Sequence, residues 1–245
     1  MWRKSQVIYF LVPAYNEEIN ITRMMRETAD LMKELRLDHR MIIVDDGSTD
    51  GTMDKIALEK SGKTQVISYK PNQGVKTAFM KGFAYFIKNA SSNDILVTKE
   101  ADNTSDNMVL SDMLEHLSSG FDVSLASCYS EGGGIEGSNY YRMLMSKTAN
   151  LIIKIRFGLW KYSTFSSFYR AYSYKCIKTA LEKDPSIMTI DGFTCMAEML
   201  IKLHRMGFRI AEAPMILRSN QRIDKSKMPI LKTISGYIRL CAKGV

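Results

Sequence analysis

Residues 7–18, VIYFLVPAYNEE, pass from an apolar stretch directly into a polar and acidic one. The apolar residues predict a buried β-strand, because a short apolar run bounded by a turn signal is typical of a strand inside a sheet. Asn16 is the predicted N-cap of the next helix, with Glu17 and Glu18 in its first turn, where the helix dipole favours anions. Apolar residues then recur at helical spacing as far as Leu35. The segment therefore predicts a strand–loop–helix unit.

The same unit repeats along the first half of the chain. Further predicted strands are MIIVDD at residues 41–46, QVISY at 65–69, DILVT at 94–98 and DVSLASCY at 122–129. Predicted helices lie between the first of them, over residues 52–61 and 75–86. This alternation predicts an α/β fold with a mainly parallel sheet flanked by helices. In such sheets ligands bind beyond the carboxyl ends of the strands.

Three polar segments follow predicted strand ends: PAYNEE at residues 13–18, DDGSTDGT at residues 45–52 and KEADNTSD at residues 99–106. Their acids converge at one edge of the sheet, although the chain as a whole has a formal net charge of +8. Carboxylates brought together repel one another without a cation, so the pattern favours a bound divalent metal. The alternative is that these segments are ordinary solvated turns. Asp46, Ser48 and Asp50 are assigned mainly to that turn and capping role.

The composition restricts the partners and the compartment. The basic balance, with a pI near 9.2, calls for an anionic partner such as phosphorylated small molecules or an anionic membrane face. Four scattered cysteines and three histidines form no zinc-binding spacing and suit a reducing cytosol. No signal peptide or transmembrane stretch is predicted. The charge follows no recognised nucleic-acid-binding module, so no nucleic-acid partner is expected.

The second half is less regular. SEGGGIEGS, residues 130–138, predicts a flexible glycine-rich loop near the site. A predicted helix over residues 140–159 carries on one face Tyr140, Tyr141, Leu144, Thr148, Leu151, Ile152, Ile155 and Leu159. That face either packs on the sheet or contacts a membrane.

A second amphipathic pattern begins at Pro229. It groups on one side Ile230, Ile234, Tyr237, Ile238 and Cys241, and sets opposite them Lys232, Arg239 and Lys243. A basic amphipathic helix of this kind either lies in a lipid headgroup layer or packs on the protein or on a partner chain.

Several motifs follow one another along the chain over roughly residues 6 to 240. Two of them, VPAYNEE at residues 12–18 and VDDGSTDGT at 44–52, form a pair that is specific for one protein family. The others are NQG (72–74), EAD (100–102), RMLMSKTAN (142–150), TFSSFYR (164–170), GF (192–193), AEML (197–200), GFRIAEAPM (207–215) and SKM (226–228). Together they resemble the inverting glycosyltransferases of family 2, and among these the polyprenyl-phosphate sugar synthases of the dolichol-phosphate mannose synthase type. The resemblance implies the GT-A nucleotide-sugar fold, with a catalytic domain over residues 1–228 and an amphipathic tail over residues 229–245.

The resemblance also implies a set of site residues. The nucleotide sugar would be bound by Pro13, Ala14, Tyr15, Glu17, Asp45, Lys76, Ala101, Arg222 and Lys227. Mg²⁺ or Mn²⁺ would be held by Asp102, with Glu100 as the second acid, because a hard cation beside phosphates needs only one or two carboxylates. The catalytic residues would be Asp102, Arg142 and Glu198. Of these, Arg142 would contact phosphate. Glu198 stands where related hydroxyl-transferring enzymes carry a base, and polyprenyl-phosphate synthases carry an acid there too, so Glu198 does not decide the acceptor.

The expected activity is metal-dependent, inverting transfer of a hexose from a GDP- or UDP-sugar to a membrane-associated acceptor, foremost polyprenyl phosphate. An ionised phosphate acceptor needs no strong base, whereas a saccharide hydroxyl, the alternative acceptor, does. A non-catalytic nucleotide-sugar-binding protein is the second alternative. The expected location is peripheral, at the cytoplasmic face of a membrane.

Four residues depart from the pattern that the resemblance implies. Glu100 stands for the first Asp of an Asp-x-Asp motif, Cys128 for an Arg, Thr164 for an Asp and Asp224 for a Gly. Glu100 keeps the charge on a longer arm, whereas Cys128 removes a cation that could serve a phosphate.

Overall fold

The computed structural model describes residues 6–223 and 230–244 of the chain. The strands are β1 (Val7–Ala14), β2 (Asp38–Asp45), β3 (Thr64–Ser68), β4 (Ile95–Thr98), β5 (Val123–Ser127), β6 (Gly134–Glu136), β7 (Arg170–Ser173), β8 (Ile210–Pro214) and β9 (Ile216–Arg218). The α-helices are α1 (Ile21–Glu34), α2 (Thr52–Glu59), α3 (Val75–Asn89), α4 (Val109–Ser118), α5 (Tyr140–Phe157), α6 (Tyr174–Lys183), α7 (Thr194–Arg205) and α8 (Ile230–Lys243).

Seven strands form the central sheet, in the order β3-β2-β1-β4-β7-β5-β8. The pairs β1–β2, β1–β4, β2–β3 and β5–β8 are parallel, and β7 runs antiparallel to both β4 and β5. The predicted α/β fold with a mainly parallel sheet is therefore confirmed. The antiparallel strand β7 is an addition that the sequence patterns did not indicate.

Both faces of the sheet are covered by helices, so β1 is buried on both sides. Tyr9 and Leu11 point into a core with α3, α6 and α7. Ile8, Phe10 and Val12 point into a second core with α1 and α4. This burial on both faces explains why the strand reads as a continuous apolar run instead of an alternating one.

The start of α1 differs from the prediction. The helix begins at Ile21 with Asn20 in the N-cap position, and no acid lies in its first turn. Asn16, the predicted cap, instead has a positive φ of 54° and accepts a hydrogen bond from the Thr49 backbone N–H at 2.8 Å. Residues 16–19 thus belong to the loop beyond β1, which lengthens the polar segment at the sheet edge.

The glycine-rich segment is not wholly a loop. Its residues Gly134–Glu136 form β6, which pairs in parallel with β9. The Gly134 backbone N–H also donates to the Met215 carbonyl at 3.1 Å. The pairing holds the second half of the segment against the chain that follows β8.

The helix α5 shows which of its faces is covered. Asn150 and Ile153 are its buried residues. The predicted apolar face groups as expected but points outward, leaving exposed Tyr140, Tyr141, Leu144, Leu151, Ile152 and Ile155. Of the two interpretations left open above, packing of this face on the sheet is therefore wrong. Only Leu159 of the predicted set, which lies beyond the end of the helix, is buried.

The last helix, α8, packs beside α5 and α7. The Arg156 Nε donates to the Cys241 carbonyl at 2.9 Å, which joins α5 to α8. Leu240 is buried, while Ile234 and Ile238 of the predicted apolar side are exposed. Within the described parts of the chain, the helices are all too short or too polar to cross a bilayer.

Candidate functional site

A cavity of about 270 Å³ opens beyond the carboxyl ends of β1, β2 and β4, and we call it the strand-end cavity. Its lining consists of Pro13, Ala14, Tyr15, Glu17, Asp46, Asn72, Gly74, Val75, Glu100, Ala101, Asp102, Phe168, Gly192, Phe193 and Arg222. Eight of these belong to the predicted site, namely Pro13, Ala14, Tyr15, Glu17, Glu100, Ala101, Asp102 and Arg222. Asp45 and Lys76 are not in the lining, and Lys227 lies outside the described residues.

The first two loops of the cavity are joined by hydrogen bonds. The Asn16 backbone N–H donates to Ser48 Oγ at 2.9 Å, and the Glu17 N–H donates to Thr52 Oγ1 at 2.8 Å. The side chain of Glu18 accepts from the Gly51 N–H at 3.1 Å. PAYNEE and DDGSTDGT are therefore joined into one continuous rim of the cavity.

The adjacent acids Asp45, predicted to bind the nucleotide, and Asp46, predicted to serve the turn, lie in different surroundings. Asp45 is fully buried and accepts hydrogen bonds from the Ser48 N–H and from Ser68 Oγ, at 3.1 and 2.8 Å. Asp46, predicted as a turn residue, lines the cavity and accepts from the backbone N–H groups of Gln73 and Gly74 at 2.7 and 2.9 Å. Asp46 thereby fixes the NQG loop at the cavity rim.

Lys76 lies in the first turn of α3, outside the cavity. Its Nζ forms an ion pair with Asp191 Oδ1 at 2.8 Å. Asp191 directly precedes Gly192 and Phe193, which do line the cavity. The contact of Lys76 with the cavity is therefore indirect, through the loop that carries Phe193.

The two acids of the EAD motif, Glu100 and Asp102, have different hydrogen-bond and ion-pair partners. Asp102 Oδ1 accepts from both the N–H and the Oγ1 of Thr104, at 3.0 and 2.8 Å, while its Oδ2 pairs with the Arg222 guanidinium. Glu100 accepts from Ser105 Oγ at 3.0 Å and from the Phe168 N–H at 3.3 Å. Both oxygens of each acid thus have a protein partner, and in Asp102 one of these partners is a cationic group.

A buried lysine, Lys99, contacts the far end of the loop that carries these acids. The Lys99 side chain donates to Asn107 Oδ1 and lies over the Tyr169 ring, with Nζ 5.7 Å from its centroid. Burial lowers the pKa of Lys99 to about 8. Sequence reasoning missed this residue, because a lysine beside two acids reads as a solvated turn residue.

A second cavity of about 670 Å³ adjoins the first, and we call it the α5 cavity. The two cavities share Glu100, Asp102, Phe193 and Arg222. Arg142, in the first turn of α5, lines only the second cavity. The lining residues with hydroxyl or amide groups are Thr104, Tyr129, Ser138, Asn139, Ser146, Thr164, Ser166, Ser167 and Ser219. Asp102 and Arg222 therefore stand at the junction of the two cavities, whereas Arg142 lines the α5 cavity alone.

Sequence reasoning missed the aromatic wall between the two cavities. The Phe193 ring stacks on the Phe168 ring, with centroids 5.0 Å apart and planes at 16°. Both residues belong to motifs quoted above, GF and TFSSFYR, so a signal was present. Nothing in the local pattern indicated that the two motifs meet.

Glu198 lines neither cavity. Its side chain is 1% exposed, and its Oε2 accepts from the backbone N–H groups of Thr189 and Ile190 at 2.7 and 2.8 Å. Its Oε1 accepts from Thr189 Oγ1 at 2.6 Å and pairs with Lys202 Nζ at 3.3 Å. The structure therefore separates Glu198 from Asp102 and Arg142, and shows it anchoring the loop that precedes Phe193.

The half-buried Cys128 lines the α5 cavity and offers a chemical probe of it. Burial raises the pKa of its thiol to about 11. Because the thiolate is the reactive form, we expect iodoacetamide labelling of Cys128 to be slow at neutral pH and to rise about tenfold per pH unit up to about pH 10. Peptide mapping by mass spectrometry measures the rate, with Cys128→Ser as the control. Fast labelling at pH 7 that does not change with pH would contradict this assignment.

Asp102 and Glu100 fit a divalent cation whose coordination shell is completed by oxygens from other groups. Within residues 6–223 and 230–244, no group of three or more His, Cys, Asp or Glu side chains is arranged to bind a metal. Asp102 directs one oxygen towards the Arg222 guanidinium, and Glu100 lies two positions before Asp102 in the chain. One or two carboxylates suffice for Mg²⁺ or Mn²⁺ when phosphate oxygens and water supply the remaining ligands.

Comparison with known proteins identifies relatives of this chain. The chain is 27% identical to the polyprenol monophosphomannose synthase of Mycolicibacterium smegmatis over 230 residues, which cover 92% of this chain and 82% of that protein. It is 30% identical to the dolichol-phosphate mannosyltransferase of Pyrococcus furiosus over 147 residues, 59% of this chain and 40% of that protein. These names bear out the resemblance to polyprenyl-phosphate mannose synthases.

Solved structures confirm the fold. Glucosyl-3-phosphoglycerate synthase from Mycobacterium tuberculosis, in complex with phosphoglyceric acid, superposes with a TM-score of 0.67 at 19% identity, covering 97% of this chain and 81% of that one. The same enzyme with Mn²⁺, UDP and phosphoglyceric acid gives a TM-score of 0.66 at 19% identity, covering 97% and 79%. The fold is thus the GT-A fold. The sequence model of Glycosyl transferase family 2 matches residues 9–179. The chain is therefore a member of that family, a glycosyltransferase that uses a nucleotide sugar.

Proposed function

We propose that this protein transfers a hexose, with inversion, from a GDP- or UDP-sugar to the phosphate of a polyprenyl phosphate, with Mg²⁺ or Mn²⁺ as cofactor. One observation carries the proposal: the strand-end cavity and the α5 cavity meet at Asp102 and Arg222. A donor in the first cavity would place its diphosphate at this junction. The anomeric carbon would then face the second cavity, where Arg142 stands.

The relatives support both substrates. The two curated relatives are named for polyprenol and dolichol-phosphate acceptors and for mannose, which makes a mannose donor the first to test. The structural neighbours were solved with Mn²⁺ and UDP or UDP-glucose, which supports a metal-bound nucleoside diphosphate. Because these neighbours are 18–19% identical, they do not favour UDP over GDP for this chain.

The proposed step is a single displacement. A phosphate oxygen of the acceptor bonds to the anomeric carbon as the bond from that carbon to the diphosphate breaks, and the electron pair leaves with the nucleoside diphosphate. When bound, the metal supplies positive charge to this leaving group. Asp102 would hold the metal, Arg222 would contact the diphosphate and Arg142 would orient the acceptor phosphate.

The acids of the α5 cavity favour a phosphate acceptor over a saccharide hydroxyl. Among the residues that line this cavity, the carboxylates are Glu100 and Asp102, which the proposal places beside the metal. A hydroxyl acceptor would need a further base, and Glu198 is buried and fully hydrogen-bonded. An ionised phosphate is already nucleophilic, so positioning and charge stabilisation suffice.

The test is a screen of GDP- and UDP-sugars with polyprenyl phosphate and Mn²⁺, reading released nucleotide and labelled lipid. We expect one donor to give lipid-linked sugar in proportion to released nucleotide. Transfer only to added saccharides would establish the hydroxyl acceptor instead. Nucleotide binding without turnover on either acceptor class would establish the non-catalytic alternative.

The exposed side of α5 and α8 supports a membrane-associated acceptor. We define the α5–α8 face by its exposed apolar residues, which are Tyr140, Tyr141, Leu144, Leu151, Ile152, Ile155, Ile234 and Ile238. The two helices carry four and three basic residues and no acid. Apolar side chains framed by cations are the composition that binds an anionic lipid surface.

The position of this face suits a lipid substrate. Arg142 and Met143 of α5 line the α5 cavity, so the helix that would rest on the bilayer also forms one wall of the proposed acceptor site. A lipid phosphate could enter while its chain stays in the membrane. We therefore propose a peripheral location, at the cytoplasmic face of a membrane, for which the four free cysteines are suited.

A charge placed in the α5–α8 face should weaken membrane binding. Ile155 is 64% exposed, and its replacement by Asp would remove an apolar contact and add repulsion from anionic lipid. We expect Ile155→Asp to lower the partition coefficient onto phosphatidylglycerol vesicles by about tenfold, because the lost burial of the side chain costs roughly 1.5 kcal/mol of binding free energy. Flotation measures the bound fraction.

The matched control is Leu58→Asp, which makes the same kind of change at a residue of α2 that is 78% exposed. It should float as the unchanged protein does. Equal losses for both variants, or none for Ile155→Asp, would count against the α5–α8 face. Loss of self-association in place of vesicle binding would identify a second copy of the chain as its partner.

A further inference from the structure

Arg222 occupies the side of Asp102 that a metal would use. Its guanidinium Nη2 contacts Asp102 Oδ2, and the side chains are 23% and 8% exposed. The other carboxylate oxygen is held by Thr104. A nearly buried carboxylate is costly without a counter-charge, and here the counter-charge comes from the protein itself.

The contact is held by a defined arm of the chain, residues 216–223, which lies along the loop that follows Asp102. The Arg218 backbone N–H donates to the Thr104 carbonyl at 2.8 Å, and Leu217 forms a β-bridge with Ser105. The Arg218 Nη2 pairs with Asp106 Oδ2 at 3.0 Å. Each contact joins the arm to the loop of residues 102–106. The alignment of the arm along this loop therefore places Arg222 next to Asp102.

A contact with α1 also holds the arm next to Arg222. The Arg23 Nη2 of α1 donates to Gln221 Oε1 at 2.8 Å. Two anchored parts of the chain, the arm strand β9 and Gln221, therefore precede Arg222 and fix the backbone that leads to it. Its guanidinium, at the end of a long side chain, is the part that can turn without moving these anchors.

We propose that Arg222 is a built-in substitute for the metal: it neutralises Asp102 while no nucleotide is bound and moves to the diphosphate when the metal–nucleotide pair enters. The inference rests on the proposed function, since it needs a diphosphate at the junction of the cavities. A guanidinium binds carboxylate and phosphate oxygens with equal geometric ease, so the diphosphate gives Arg222 a second partner.

The consequence is coupling between the two ligands. Metal alone must compete with Arg222 for Asp102, whereas metal arriving with a diphosphate releases Arg222 to a new partner. The nucleotide therefore raises the affinity for metal, and by linkage the metal raises the affinity for nucleotide by the same factor. The carboxylate of Asp102 stays neutralised throughout, which avoids a buried unpaired charge.

The experiment measures Mn²⁺ binding without nucleotide, from the loss of the free Mn²⁺ signal in electron paramagnetic resonance. We expect Arg222→Gln to bind Mn²⁺ alone about five- to tenfold more tightly than the unchanged protein. The same variant should bind GDP or UDP in the presence of Mn²⁺ about tenfold more weakly, by calorimetry, because the diphosphate loses a cationic contact. Opposite signs from one substitution are the signature of the exchange.

Two further variants make the result specific. Arg209→Gln makes the same charge change at a residue that stacks on Phe121 and lines neither cavity, so its Mn²⁺ affinity should not change. Arg222→Lys keeps the charge without the planar fork and should fall between the unchanged protein and Arg222→Gln. If Arg222→Gln fails to fold, as judged by circular dichroism, Arg222→Lys alone decides.

Unchanged or weaker Mn²⁺ binding in the Arg222 variants would overturn the exchange. The outcome is separate from the donor screen, because Mn²⁺ binding is read without any sugar nucleotide. An inactive protein whose Mn²⁺ affinity still rises in Arg222→Gln would refute the proposed function and leave the ion-pair competition standing. An active protein with no such rise would refute only the inference.

Discussion

Asp102→Asn is expected to abolish sugar transfer and to leave the fold intact. The amide keeps the shape of the side chain, and its carbonyl oxygen can still accept the two hydrogen bonds from Thr104. What it removes is the negative charge that faces Arg222 and the proposed metal. Loss of one preorganised electrostatic group at a reacting centre costs about 10²–10³ in turnover, so we expect kcat to fall by at least that factor.

Two measurements accompany this substitution. Thermal unfolding should show a stability loss of about 1–3 kcal/mol, since the hydrogen bonds of the loop are retained while Arg222 loses its counter-charge. Mn²⁺-dependent nucleotide binding should weaken, because the variant offers one carboxylate fewer. Turnover within about threefold of the unchanged protein would rule out Asp102 as the metal ligand.

Glu100→Gln is the matched comparison, and it tests whether Glu100 contributes as much to activity as Asp102 does. Glu100 accepts from Ser105 and from the Phe168 N–H, so its carboxylate is already engaged on both oxygens. The amide can keep one of these contacts. We expect a loss of activity closer to tenfold, intermediate between the unchanged protein and Asp102→Asn. Equal losses would mean that both acids hold the metal. A control outside the site is Asp112→Asn, on α4, which should be neutral.

The fold could be predicted from the sequence because its signals are local. A strand buried on both faces appears as an apolar run, as in β1, and each run is followed by turn residues and a helical pattern. The positions of Pro13, Tyr15 and Glu17 follow from one geometric fact, that parallel strands end at the same edge. The antiparallel strand β7 lies between β4 and β5 in the sheet but far from β4 in sequence, and no local signal sets that order.

The roles of Asp45 and Asp46 could not be predicted in the same way. Both acids follow the end of β2, and composition alone does not say which side chain turns inward. Their environments are set by distant partners, Ser68 for Asp45 and the N–H groups of the NQG loop for Asp46. Likewise, the pattern of α5 states which residues share a face. Whether that face is covered depends on the packing of Asn150 and Ile153 against the rest of the chain.

The same limit applies to Glu198, whose motif gives its place in the chain and says nothing about its burial. The structure makes it the anchor of residues 189–190, and Ile190 lies three residues before Phe193 of the aromatic wall. A residue with that role positions Phe193 and contacts no substrate. A general base would instead have to reach the acceptor. The two roles predict different consequences for two substitutions at this position.

Glu198→Ala should destabilise the protein strongly. It leaves the N–H groups of Thr189 and Ile190 and the ammonium of Lys202 without their shared acceptor, and such losses in buried sites cost about 3–5 kcal/mol. Urea unfolding measures the change. Lys202 also pairs with Asp184 at 2.9 Å, which limits the loss to the lower part of that range.

Glu198→Gln separates anchoring from base catalysis. The amide oxygen can still accept from the two backbone N–H groups, and its NH₂ can donate to Thr189 Oγ1 but faces the Lys202 ammonium. We expect a stability loss of about 1–2 kcal/mol and a kcat within about tenfold of the unchanged protein. The pH profile of kcat/KM should keep its shape, because no proton acceptor of the reaction has been removed. Removal of a general base costs about 10²–10⁴ and abolishes the acidic limb of the profile, and that result would return Glu198 to the catalytic site.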